Sequence, residues 1–211
     1  MVSVRSYFCE KFHQFTLGCV NTSPALSQED LDFIADNTAI ARDEIDQHYD
    51  NFLSKHPDGK ITRRGFANMM QACFPDSDTT RLESHIFRMY DSNGDGHVDF
   101  REFMIVLYVM SNGTPEENLK KIFQVFDINN DGTVSQKELD RVVKDLFQSF
   151  KKTKDDADEI VNNEENLAKE AFKEMDVNID GKITQEEFIH ACLSRETLST
   201  MLALKVIDLF L

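Results

Sequence analysis

Three stretches of this chain, DSNGDGHVDFRE from Asp91, DINNDGTVSQKE from Asp127 and DVNIDGKITQEE from Asp176, repeat one twelve-residue pattern. Each has oxygen-bearing side chains at positions 1, 3 and 5, glycine at 6, an aliphatic residue at 8 and glutamate at 12. Alternate residues of a tight loop point inward, so this spacing gathers oxygens about one point, and the glycine permits the bend that brings them there. The arrangement suits a hard cation that takes about seven oxygens. Calcium is the expected ion, with magnesium a candidate occupant at rest.

In the first of these loops the expected ligands are Asp91, Asn93, Asp95, the backbone carbonyl of His97, Asp99 directly or through water, and bidentate Glu102. In the second they are Asp127, Asn129, Asp131, the carbonyl of Thr133, Ser135 through water, and Glu138. The third supplies Asp176, Asn178, Asp180, the carbonyl of Lys182, Thr184 through water, and Glu187. The side chains of His97 and Lys182 are expected to point outward. This is the EF-hand pattern, helix, loop, helix, and the flanks agree with it. ESHIFRMY, LKKIFQVF and AKEAFKEM precede the loops with apolar residues three and four apart.

A fourth frame lies upstream in SKHPDGKITRRG, Ser54 to Gly65. Aligning Gly59 with position 6 leaves one carboxylate, Asp58, and puts Pro57 at position 4, where its fixed φ and missing amide disturb the loop. We expect a degenerate, metal-free hand that survives because EF-hands pair through a short strand at position 8, here Ile61 against Val98. From first position to first position the steps are 91−54=37, 127−91=36 and 176−127=49. The expected fold is therefore all-α, four EF-hands paired into two lobes with short paired loop strands. Its divisions are a variable segment 1–26, an N-terminal lobe 27–111, a C-terminal lobe 112–194 and an apolar C-terminal helix 195–211. Gly113 and Pro115 mark the turn between lobes. The extra length in the last step falls in KKTKDDADEIVNNEEN, whose charge predicts an exposed connection.

Composition supplies the exclusions. A formal net charge of −15 argues against nucleic-acid partners and fits carboxylates gathered for cations. The four cysteines have no CxxC spacing, as expected of reduced thiols in the cytoplasm. No nucleophile, base and oxyanion arrangement is recognisable, so no catalytic residue is assigned and the chain is not expected to be an enzyme.

The disabled loop with Pro57 and Gly59, the run FRMYDSNGDGHVDFREF, the long step before the last loop and DVNIDGKITQEEF together resemble the neuronal calcium sensor family over about Leu26 to Leu198. The resemblance implies a calcium sensor that regulates a membrane-associated channel, receptor kinase or cyclase by accepting an amphipathic helix of its target. It also departs from the family. Val2 stands in place of a myristoylated glycine, so no N-myristoyl anchor is expected. Palmitoylation at Cys9 or Cys19 is the alternative tie to a membrane, and the expected location is the cytoplasm, including peripheral attachment.

A sensor hand that reorients its helices exposes an apolar groove. The candidate lining is Phe52, Phe66, Met69, Met70, Phe87, Met89, Met104, Ile105, Leu107 and Met110. The apolar segment TLSTMLALKVIDLFL, to the last residue, is a candidate cover for that groove or a piece of the C-terminal core. Two rival functions are a calcium buffer and a calcineurin B-like regulatory subunit of an enzyme.

Overall fold

The structure, a computed structural model, describes residues 26–75, 77–149 and 157–194, with backbone alone for 157–165. Each loop pattern sits between two helices. Helices α1 (Gln28–Asn37) and α2 (Arg42–Lys55) lead to strand β1 (Lys60–Thr62) and helix α3 (Arg63–Cys73). Helix α4 (Glu83–Tyr90), β2 (His97–Asp99) and α5 (Phe100–Asn112) form the second hand. Helix α6 (Pro115–Phe126), β3 (Thr133–Ser135) and α7 (Gln136–Ser149) form the third, and α8 (Ala157–Met175), β4 (Lys182–Thr184) and α9 (Gln185–Leu193) the fourth.

Local chemistry sets the helix starts. Asp99 and Glu102 form a reciprocal capping box at the head of α5, and Thr184 with Glu187 does the same for α9. Thr114 and Glu117 box α6, with Pro115 in the first turn, where its missing N–H costs nothing. Only Gly113 and Thr114 separate α5 from α6, so the turn expected at Gly113 and Pro115 is present and short.

The strands pair antiparallel, β1 with β2 and β3 with β4, and the register sets Ile61 against Val98 and Val134 against Ile183. All four side chains are fully buried, so each strand pair pins two loops through one apolar contact. Around them pack aromatics at edge and tilted angles: Phe66 lies 5.4 Å from Phe87 and 5.3 Å from Tyr90, and Phe188 lies 5.6 Å from both Phe123 and Phe126. The buried apolar residues of all four hands join in one cluster.

Two expectations are corrected. The charged run before the last loop is not a connection throughout, because α8 is helical from Ala157. Its Glu, Asn and Ala residues extend an entering helix whose later turns bury Ala168, Ala171, Phe172 and Met175 at helical spacing. Secondly, the frame drawn for the degenerate loop is too long. Helix α2 runs through Ser54, whose hydroxyl donates to Asn51 O at 2.7 Å, and ends on His56, whose N–H reaches Phe52 O. From the corresponding helix-ending residue to the strand is 97−91=6 positions in the second hand but 60−56=4 in the first, so the first loop is two residues shorter. The segments 1–25 and 195–211, and with them Cys9, Cys19 and the apolar C-terminal helix, lie outside the described residues.

Candidate metal centre

The three complete loops share one hydrogen-bonded frame. The first-position aspartates accept the N–H of the sixth-position glycines: Gly96 to Asp91 Oδ2 at 3.0 Å, Gly132 to Asp127 Oδ2 at 2.9 Å, Gly181 to Asp176 Oδ2 at 3.0 Å. Asn93, Asn129 and Asn178 each accept with Oδ1 from the N–H two residues on, at 2.8 to 2.9 Å. Asp95, Asp131 and Asp180 accept with Oδ1 from His97, Thr133 and Lys182 N–H, all at 2.9 Å. One oxygen of each side chain is thus used to shape the turn. The glycines at position 6 take φ of 81°, 83° and 84°, in the left-handed region that only a residue without Cβ enters freely. Position 4 is left-handed too, at Gly94 (72°), Asn130 (57°) and Ile179 (58°).

Asp91 Oδ1 is buried without a hydrogen-bond partner among the described residues, an oxygen whose lone pairs are free for a cation. Asp127 is buried, and that burial, reinforced by the charges of Asp131 and Glu138 and opposed by the N–H groups of Gly132 and Asp131, holds its carboxyl above the ordinary range. The hydroxyl and N–H of Thr133 and the Asn129 amide hold Asp131 below it, and Thr184 N–H does the same for Glu187. This donor set, all oxygen and largely carboxylate, fits calcium.

The closing glutamates are turned to the backbone. Glu102 Oε1 accepts from Ser92 and Asn93 N–H at 3.0 and 3.1 Å, and Oε2 from Asp99 N–H at 3.1 Å. Glu138 accepts from Ile128, Asn129 and Ser135 N–H, and Glu187 from Thr184 N–H. Among the described residues no three side chains of Asp, Glu, His or Cys converge on one point. Asp99, Ser135 and Thr184, at position 9, cap the exit helices by accepting the N–H of those same glutamates. His97, Thr133 and Lys182 begin the strands, and the His97 imidazole is half exposed with Nδ1 3.2 Å from Asp95 O.

The groove candidates are not a groove in this structure. Phe52, Phe66, Met69, Met70, Phe87, Met89, Met104 and Met110 are core, and Ile105 and Leu107 are half-buried. Ile105 and Lys121 line a cavity of about 370 Å³ beside Ser92, Asn93 and Glu102. Burial lowers the Lys121 pKa, against the pull of Glu102.

Spacing did not reveal two contacts. His85, fully buried on α4, joins Asp145 on α7, and Lys60 of the degenerate hand reaches Asp95. Neither pair leaves a sequence signal, since each joins residues of different hands. Cys73 and Cys192 are buried thiols in no disulfide among the described residues, and burial pushes the Cys192 thiol up to about 12.

Two family models match the chain, an EF-hand domain pair over residues 116–193 and an EF hand domain over 84–110, ranges that leave the shortened loop outside. Human recoverin is 32% identical over 177 residues, 82% of this chain and 88% of that protein. Neuronal calcium sensor 1 of Lymnaea stagnalis is 33% identical over 183 residues, 87% of this chain and 94% of that one. Visinin of Gallus gallus is 33% identical over 126 residues, 60% of this chain and 66% of the relative.

Proposed function

This chain belongs to the neuronal calcium sensor family, calcium sensors built of EF-hands rather than enzymes, and from that premise we propose that it binds up to three calcium ions and answers by exposing an apolar groove. The single observation that carries the reading is the repeated frame of the three complete loops. In each, side-chain oxygens at positions 1, 3 and 5 accept N–H groups of the loop itself, so the same three oxygen-bearing side chains shape the turn every time. The shortened first loop has neither the length nor the carboxylates for a fourth ion, and acts as the structural partner of the second.

Glu102, Glu138 and Glu187 exchange their backbone N–H partners for bidentate contact in this reading, so each exit helix moves with its closing glutamate. The moving helices include α5, whose Phe100 and Phe103 rings pack against Phe52 on α2 and whose Met104 is also buried, and separating the two helices uncovers the apolar lining. Flexible methionines then accept an amphipathic helix of a membrane-associated target. Magnesium occupies one or more loops at rest. Among the described residues no helix is long and apolar enough to cross a membrane.

The test is the fluorescence of a hydrophobic-surface dye, first in magnesium alone and then across free calcium. A steep rise near micromolar calcium supports the sensor. Calcium binding without a rise, in the full chain and in a chain ending at Ser199, indicates a buffer instead.

A further inference from the structure

The shortened hand does more than brace its neighbour. The register of β1 and β2 sets Lys60 opposite Asp99, and Lys60 Nζ lies 3.7 Å from Asp95 Oδ2, with both side chains about half exposed. Asp95 Oδ1 already accepts the His97 N–H, so Oδ2 is the oxygen left for an ion. In the other two loops the group that meets this atom is different, although the Lys182 charge also acts on Asp131. Asp131 Oδ2 is met by Asn129 Nδ2 at 3.1 Å and Asp180 Oδ2 by Asn178 Nδ2 at 3.0 Å, each a neutral amide from within the same loop. The charge inventory differs as well. The loop from Asp91 has four carboxylates at its ligand positions, Asp91, Asp95, Asp99 and Glu102, where each of the others has three.

We propose that Lys60 sets the calcium affinity of the Asp91–Glu102 loop, as a tethered ammonium that the metal-free hand holds against Asp95 Oδ2. The inference rests on the reading that this loop binds calcium. An entering ion must displace the ammonium from Asp95 or bind beside a fixed positive charge, and either lowers affinity. Because the ion is divalent, the repulsion is twice that between single charges at the same distance. Exposure and salt reduce it, which places the effect at about threefold to tenfold in the dissociation constant. An ion pair this exposed contributes little to folding, so its removal leaves the scaffold in place.

The experiment is a calcium titration of the full-length, nitrogen-15-labelled protein followed by NMR. All variants are titrated at one pH and, within each comparison, one ionic strength. The amides of Gly96, Gly132 and Gly181, each bonded to the first aspartate of its loop, report the three loops separately. Lys60→Met is expected to move the Gly96 midpoint to about three- to tenfold lower free calcium and leave the other two unmoved, with the gap narrowing in roughly 0.5 M salt. Lys60→Arg keeps the charge and the wild-type midpoint. An unmoved Gly96 midpoint in Lys60→Met, or three midpoints that shift together, overturns the role of Lys60 while leaving the calcium site standing. A Gly96 amide that ignores calcium in both proteins overturns the calcium reading of that loop and this inference with it.

Discussion

His85 Nε2 and Asp145 Oδ2 lie 2.9 Å apart and join α4 of the second hand to α7 of the third, with the imidazole almost wholly buried. Arg88 Nη2 is 3.0 Å from the other ring nitrogen and also donates to Val125 O at 2.9 Å. A guanidinium only donates, so His85 Nδ1 must accept and Nε2 carries the hydrogen given to Asp145. The neutral imidazole is therefore the form this interface holds.

Burial keeps the His85 pKa below its ordinary value of 6.5; the bond to Asp145 opposes that shift and the Arg88 charge adds to it. The unfolded chain then binds more protons than the folded one, so this contribution is complete above about pH 6.5 and is lost as pH falls through the lowered folded value. Thermal denaturation at about pH 8 and about pH 5.5 should show the loss. His85→Gln keeps a donor and an acceptor without the titration, and should flatten the slope to what His56 adds, whose imidazole burial and Lys55 also hold low. A slope unchanged in that variant would assign the acid sensitivity elsewhere.

Chelation should destabilise the fold. An ion that binds only the folded chain adds about 2.7 kcal/mol per site at a hundredfold excess over its dissociation constant. Melting in calcium and in chelator should therefore differ by many degrees, and indifference to chelation would contradict three working loops.

Glu138 is the expected bidentate ligand of its loop and already draws Ile128, Asn129 and Ser135 N–H together. Glu138→Gln removes the charge and one good acceptor, and should weaken calcium at that loop on the order of a hundredfold. Calorimetry would then count one fewer tight ion, with the loops from Asp91 and Asp176 retained.

Ile179 sits at φ 58° although β-branched, and its side chain is 87% exposed, so it gives up little packing for its strain. Asn130 occupies the same place in the third loop at φ 57°, and asparagine tolerates this region. Ile179→Asn should raise stability by about 1 kcal/mol, read from chemical denaturation. A loss of stability would mean that the exposed isoleucine makes a contact worth more than the strain.

Much of this protein was legible in one dimension because calcium loops are local. The expected ligands, the turning glycine, the strand and the capping glutamate fall within twelve residues, so hydrogen-bond and steric rules shape Asp91 to Glu102 and its two repeats with no reference to the rest of the chain. The pairing of Ile61 with Val98 followed from the same regularity. The two-residue shortening of the first loop did not, because the glycine-anchored frame starts the loop at Ser54, whereas helix α2 runs on through Lys55 and stops at His56, the residue before Pro57. Nor did the helical state of 157–166, where a charged composition suggests a connection until the apolar face that follows it is packed. Tertiary structure alone brought Lys60 to Asp95 and His85 to Asp145. Such contacts join side chains on separate hands, and the distance between them is set by strand register and helix packing, which no local pattern records.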